Sequence, residues 1–105
     1  MTSTLRLPAH QPTSIGEMLT LEFLEPLNIT QGKLAAAMGV GRKTVDELCN
    51  NKRAITVETA LILAKVLSTT PEFWINLQTL NNLWHTQHNE VLQQKIEKAT
   101  VLIAA

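Results

Sequence analysis

One cysteine, Cys49, is present in 105 residues, and a lone thiol excludes an intrachain disulfide framework and a four-cysteine zinc site. An excess of one charge is also missing: 9 Lys+Arg stand against 9 Asp+Glu, a formal net charge of zero. Taken whole, that balance argues against a nucleic-acid partner, because domains that bind nucleic acid are usually basic. No apolar run approaches the roughly 18 residues that a membrane span requires. The opening MTSTLRLPAHQPTS lacks the charged-then-apolar order of a signal peptide. The expectation is a soluble cytoplasmic protein with no membrane partner. The length allows one domain and leaves little room for a two-lobed enzyme with a separate cofactor domain. At 45% hydrophobic residues the chain can still bury a small core.

Resolved along the chain, the zero is uneven. Residues 1–13 carry only Arg6, a sum of +1, and residues 14–29 carry Glu17, Glu22 and Glu25, a sum of −3. Lys33 gives +1 over residues 30–41. Residues 42–53 set Arg42, Lys43, Lys52 and Arg53 against Asp46 and Glu47, a sum of +2, while residues 56–88 sum to −1 and the tail balances. A basic stretch is therefore flanked by acidic ones. Such a stretch is ordinarily a solvated face, so spacing has to decide what it does.

Residues 1–13, with Pro8, Pro12 and no helical period, read as a flexible arm. Ser14-Ile15-Gly16-Glu17 has the form of a capping box, and Ile15, Met18, Leu19 and Phe23 fall on one face of a first helix that Pro26 ends. Thr30 opens a short helix with Leu34, Ala35 and Met38 inward, and Gly39 supplies its left-handed end. A second short helix, Arg42 to Asn50, turns Val45 and Leu48 inward. Thr56 opens a helix striped by Ala60, Leu61, Ala64 and Leu67. Thr70 and Pro71 open another, with Phe73, Trp74, Leu77, Leu80 and Trp84 along one side. A last segment from about Glu90 carries Leu92, Ile96, Ala99 and Ile103, a seam either for a partner helix or for the same chain's bundle. No segment reads as a strand. The predicted fold is all-α: five or six helices, with an arm over 1–13, a helical domain over 14–86 and a C-terminal helical extension over 87–105.

Residues Thr30 to Val45 have the spacing of a helix-turn-helix: two turns of helix, a glycine turn, and a second short helix. Small Ala35 lets the helices approach, and Gly39 avoids the Cβ penalty in the turn. Val40, Val45 and Leu48 pin the second helix while its N-terminal end, with its positive dipole, stays available to a major groove. A plain helical hairpin shares this apolar period.

The run Ile29–Ile55, with Ile-Thr-Gln, Leu34-Ala-Ala-Ala-Met-Gly-Val40, Thr44-Val45, Leu48 and Arg53-Ala54-Ile55, resembles the Xre/Cro-type helix-turn-helix of phage repressors. Ile15-Gly16-Glu17-Met18-Leu19, Phe23-Leu24-Glu25-Pro26-Leu27, Ala60–Lys65 and above all Thr70-Pro71-Glu72-Phe73-Trp74-Ile75-Asn76-Leu77-Gln78 resemble HigA-type antitoxins. The likeness spans roughly residues 14–86. It implies an antitoxin that acts as a homodimer, neutralises a HigB-like mRNA interferase toxin and represses its own operon at operator DNA. A stand-alone phage-type regulator without a toxin is the alternative. The resemblance implies no enzyme activity and no cofactor.

Position by position, the resemblance places Gln31 at the start of the first motif helix, where its amide holds a phosphate. It places Arg42 and Lys43 at the exposed start of the recognition helix, where a guanidinium can bridge guanine O6 and N7. Thr44 would donate to a phosphate, and Glu47 would accept from cytosine N4. Asn51, Lys52 and Arg53 would meet backbone phosphates and fix register. The chain departs from the family where Gly41 replaces a capping Ser, Thr or His and where Asp46 replaces a common Ser. Under this reading a dimer sets its recognition helices about 34 Å apart on a pseudo-palindrome. The acidic residues Glu17, Glu22 and Glu25 would face a basic toxin.

Other groupings point to no chemistry. His85 and His88 have helical spacing but no third metal ligand nearby. Cys49 has no flanking base and reads as a packing residue. Trp74 and Trp84, about three turns apart, read as core or dimer anchors.

Overall fold

Each helix but one starts where a side-chain oxygen meets unpaired amides. In the computed structural model, which describes residues 7–104, Ser14 Oγ accepts from Glu17 N–H at 3.1 Å and Glu17 Oε1 accepts from Ser14 N–H at 3.2 Å. This is the capping box the sequence predicts, and it opens α1 (Ile15–Glu17). Thr30, Thr56 and Thr70 cap α2 (Gln31–Met38), α4 (Val57–Leu67) and α5 (Pro71–Gln87), and Asn89 caps α6 (Glu90–Lys98). Gly41 precedes α3 (Arg42–Cys49) with no side-chain cap. The described residues contain helices and no strand, and residues 7–13 form no helix. The first part of the expected arm, residues 1–6, lies outside the described residues, as does Ala105.

The helix ends follow one device. Asn28, Gly39, Asn51 and Ser68 all adopt left-handed backbone, with φ of 55°, 71°, 58° and 54°. After each, the next amide reaches back five residues: Ile29 to Leu24, Val40 to Ala35, Lys52 to Glu47 and Thr69 to Ala64, at 2.8–3.0 Å. These are Schellman caps, which satisfy carbonyls that a bare helix end leaves unpaired. Gly39 was legible in the sequence. The two asparagines and Ser68 carry the same task less visibly.

The first helix departs from the expected period. Beyond α1 the chain continues as a π-helix over Met18–Leu24, with Glu25 N–H bonded to Thr20 O five residues back at 2.9 Å. The wider turn carries the inward face to Ile15, Leu19 and Leu24, which are buried, while Met18 and Phe23 pack at its margin. The predicted stripe on Ile15, Met18, Leu19 and Phe23 is thereby rotated.

Leu19, Leu34, Val45, Leu48, Leu63 and Trp74 form the centre of the core, none more than 1% exposed. Burial of side chains of this size stabilises by about 1.5–3 kcal/mol each before entropy is counted. Trp74 sits edge-on to Phe73 and donates its Nε1–H to Thr69 Oγ1 at 2.7 Å, so its one polar group is satisfied inside the core.

Three further stripes need correction. In α4 Leu61 is exposed and Leu63 is buried. Glu58 and Lys65, seven residues apart, mark a solvent face that Leu61 shares at i+3, and Leu63 lies on the other side with Ala60 and Ala64. In α5 Phe73 lies at the rim, and Asn81, not Leu80, is the buried residue after Trp74. Asn81 Nδ2 donates to Thr13 O and to Leu77 O, both at 2.9 Å, so a polar side chain holds the residue before the Ser14 cap onto α5. The seam on Leu92, Ile96, Ala99 and Ile103 is cut short, because α6 stops at Lys98 with Ala99 already extended.

Candidate nucleic-acid interface

The surface of α3 divides cleanly. Val45 and Leu48 are fully buried, whereas Arg42, Lys43 and Asp46 are exposed and Thr44 and Glu47 half-buried. The turn from α2 places Gly41 in extended backbone, φ −72° and ψ 153°, and α3 begins at the next residue. Its first amides and positive dipole end therefore stand at the surface beside two cationic side chains. Gln31, the first residue of α2, is half-buried. Gln31, Arg42, Lys43, Thr44 and Glu47 thus all lie on α2 or α3 with no expected contact residue enclosed in the core.

The loop after α3 is more constrained than the sequence suggests. Asn51 Oδ1 accepts from Gly16 N–H at 2.8 Å. A Cβ added at Gly16 would stand 2.1 Å from the Cys49 carbonyl oxygen, so only glycine lets α1 approach the end of α3 this closely. At the far end of the loop, Ile55 N–H donates to Gln78 Oε1 at 2.7 Å, and Gln78 Nε2 donates to Asn82. Lys52, Arg53 and Ala54 are thereby held between α1 and α5. Asn51 is exposed, but its carbonyl is committed to this clamp, a structural duty that its expected place among phosphate contacts did not include.

Glu47 and Arg53 are brought together. Arg53 Nη2 donates to Glu47 Oε1 at 2.9 Å, with the two side chains 47% and 25% exposed. The hydrogen bond from Arg53 is the largest influence holding the Glu47 carboxyl below its ordinary value of 4.5, and Lys43 and Lys52 add to it. Lys52, between clamp and ion pair, is exposed.

An open groove of about 650 Å³ adjoins this loop, lined by Gln11, Glu17, Lys52, Arg53, Asn82 and His85 among others. His85 and His88 find no shared metal environment: no group of three ligating side chains occurs among the described residues. The His88 ring instead lies 4.0 Å from the Trp84 ring. Cys49 is half-buried, and burial raises its thiol pKa, which fits a packing role. Gly16, Gln78 and the clamping role of Asn51 were missed from sequence. Only the glycine between Ser14 and Glu17 hinted at them.

A family model described as helix-turn-helix matches residues 21–74. The chain is 50% identical to an uncharacterized HTH-type transcriptional regulator of Haemophilus influenzae, over 82% of this chain and 80% of that one. It is 45% identical to antitoxin HigA-1 of Vibrio cholerae, over 90% and 89% of the two chains. Among solved structures it resembles the Pseudomonas aeruginosa antitoxin HigA with higBA promoter, with a TM-score of 0.78 at 30% identity, covering 88% of this chain and 99% of that one.

Proposed function

This chain belongs to the HigA-type family of helix-turn-helix proteins, and on that premise we propose that it binds the operator of its own operon as a homodimer and neutralises a HigB-like mRNA interferase. The family is one of regulators and antitoxins, not of enzymes. The observation that carries the reading is the division of α3: its apolar side is wholly enclosed and its cationic N-terminal end is open. Arg42 and Lys43 reach base edges in the major groove, Gln31 and Thr44 hold flanking phosphates, and Lys52 fixes register from its clamped loop. A HigA relative solved with promoter DNA supports the assignment of partner.

The dimer reading is supported by α6, where Leu92 is 38% and Ile96 55% exposed and no residue is buried. A second copy laid along this face covers both. The toxin, a basic RNA-cutting protein by family resemblance, meets the acidic first helix, where Glu22 and Glu25 are exposed. Glu17 lies on the same helix but is also engaged in the cap. No helix among the described residues is long and apolar enough to cross a membrane.

The decisive experiment is retention of a duplex from upstream of the protein's own gene. The unaltered chain retards it, and the Arg42→Ala/Lys43→Ala double variant does not. Equal retention by the two overturns the DNA assignment. The alternative is a stand-alone regulator without a toxin, with which the Haemophilus relative, an HTH-type transcriptional regulator, is equally compatible. Co-expression with the product of the adjoining gene separates the two readings: growth arrest relieved by this chain, and not by a variant with Glu22 and Glu25 changed to Lys, supports the antitoxin.

A further inference from the structure

From the Glu47–Arg53 ion pair we infer that Glu47 is a specificity-determining residue for DNA and that Arg53 is its positioning residue, not a phosphate clamp. This inference rests on the proposed binding of DNA through α3.

Glu47 occupies the turn of α3 after Arg42 and Lys43, and a carboxylate there meets two opposing demands. It can accept a hydrogen bond only from an exocyclic amine, that of cytosine N4 or adenine N6, which makes it selective. Against a phosphate backbone it is repelled. Arg53 answers the second demand. Its Nη2 holds Oε1 at 2.9 Å, leaving Oε2 as the acceptor for a base and cancelling the local charge.

The backbone makes this arrangement rigid. The Schellman cap at Asn51 folds the chain back so that Lys52 N–H bonds to the carbonyl of Glu47 itself at 2.8 Å. Arg53 follows by one residue and lies over the Glu47 side chain. The αL conformation of Asn51, fixed by Gly16, and the Gln78 bond to Ile55 hold both ends of the loop. A guanidinium so placed is already spent on a carboxylate. Lys52, with no such partner among the described residues, is the loop's cation for phosphate.

The test uses the full chain and the duplex that it selects from a random-sequence pool, with every base pair then varied singly. For Arg53→Ala, preference at one base pair falls about tenfold, and the slope of log K against log salt stays within about 0.3 of the parent. Lys52→Ala reduces that slope by about 0.9 and leaves all base preferences alone. Arg53→Lys keeps the charge yet still weakens the same preference, because a strongly hydrated ammonium on a flexible four-carbon stem does not hold Oε1 in one geometry. Glu47→Ala erases the preference, and adding Arg53→Ala to it changes nothing further. If Arg53→Ala instead lowers the slope by about 0.9 with base preferences intact, Arg53 is a phosphate contact and the inference fails alone. If the unaltered chain selects no duplex, the DNA assignment fails and takes the inference with it. Circular dichroism melts of each variant confirm that the chain is folded.

Discussion

α3 and α6 are close in length, eight and nine residues, and each carries apolar residues on one side. Helices this short do not hold by themselves in water, so each depends on what covers its apolar side. Val45 and Leu48 of α3 are wholly enclosed by the same chain, while Leu92 and Ile96 of α6 stay open. The rest of α6 has the marks of a helix built to persist: an Asn89 cap, Glu90 in the first turn, and Lys95 and Lys98 in the last. One helix is finished inside the monomer and presents its polar side to a partner. The other is left uncovered by its own chain, and the proposed second copy would complete it.

The sharpest way to break this contrast is to truncate one residue from each helix. Leu48→Ala should destabilise folding by about 2–5 kcal/mol, read as a fall in the urea midpoint. Ile96→Ala, measured at concentrations where the chain is monomeric, should move that midpoint by no more than about 0.5 kcal/mol. Sedimentation at higher concentration should then show the Ile96 variant as monomer where the parent is dimer. Equal losses of stability in the two variants would mean that α6 is also completed within its own chain.

The enclosure of α3 depends on its last turn as well as its apolar side. Gly16→Ala drives a methyl into the backbone carbonyl of Cys49, which is no flexible side-chain end, and should cost about 1–3 kcal/mol. Asn51→Ala removes both the left-handed preference and the bond to Gly16 N–H, and about 1–2 kcal/mol should follow. Asn51→Gly restores the conformation without the bond and should recover part of that loss. Thermal melts of the three variants rank these contributions. An Asn51→Gly protein no better than Asn51→Ala would show that the hydrogen bond alone matters.

Much of this was legible in the residues. Four cap positions, the glycine turn after α2, the two inward residues of α3 and the all-α class follow from local rules that act over three or four residues. What escaped reading acts between elements. The π-helical turn depends on packing that draws Leu24 inward, whereas the choice of Leu63 over Leu61 was readable from Glu58 and Lys65, which share the face of Leu61. The clamp from Gly16 to Asn51 spans 35 residues, and only the glycine between Ser14 and Glu17 hints at it. At the interface, Arg42 and Lys43 were identifiable as surface cations of a recognition helix. The pairing of Glu47 with Arg53 required the Schellman turn, which is visible only once Asn51 is known to be left-handed.

Acid provides a gentler probe of the polar side of α3. The Glu47 carboxyl is held below 4.5 in the folded chain, chiefly by the hydrogen bond from Arg53. Its pairing is therefore fully present above about pH 4.5, where the unfolded group would titrate, and disappears as pH falls through the lowered folded value. A carboxyl-carbon NMR titration should show a Glu47 midpoint below 4.5 in the parent, and an Arg53→Ala variant should return it toward the ordinary value. An unchanged midpoint would dissolve the pair in solution.

The smallest effect concerns the start of α3, the one helix entry without a side-chain cap. Gly41 already has the extended backbone of an N-cap, and a Cβ there meets nothing within 4 Å. Gly41→Ser should therefore place a hydroxyl where it accepts from an amide of the first turn, gaining a few tenths of a kcal/mol, about 1–3 °C in Tm. If stability rises as stated, the glycine is not required by the fold. The resemblance puts a capping Ser, Thr or His at this position, so on the proposed DNA-facing surface a hydroxyl one residue before Arg42 should leave the contact intact. A variant that melts higher and binds its selected duplex as tightly as the parent would show that the glycine serves neither role, whereas weaker binding would show that the bare backbone matters there.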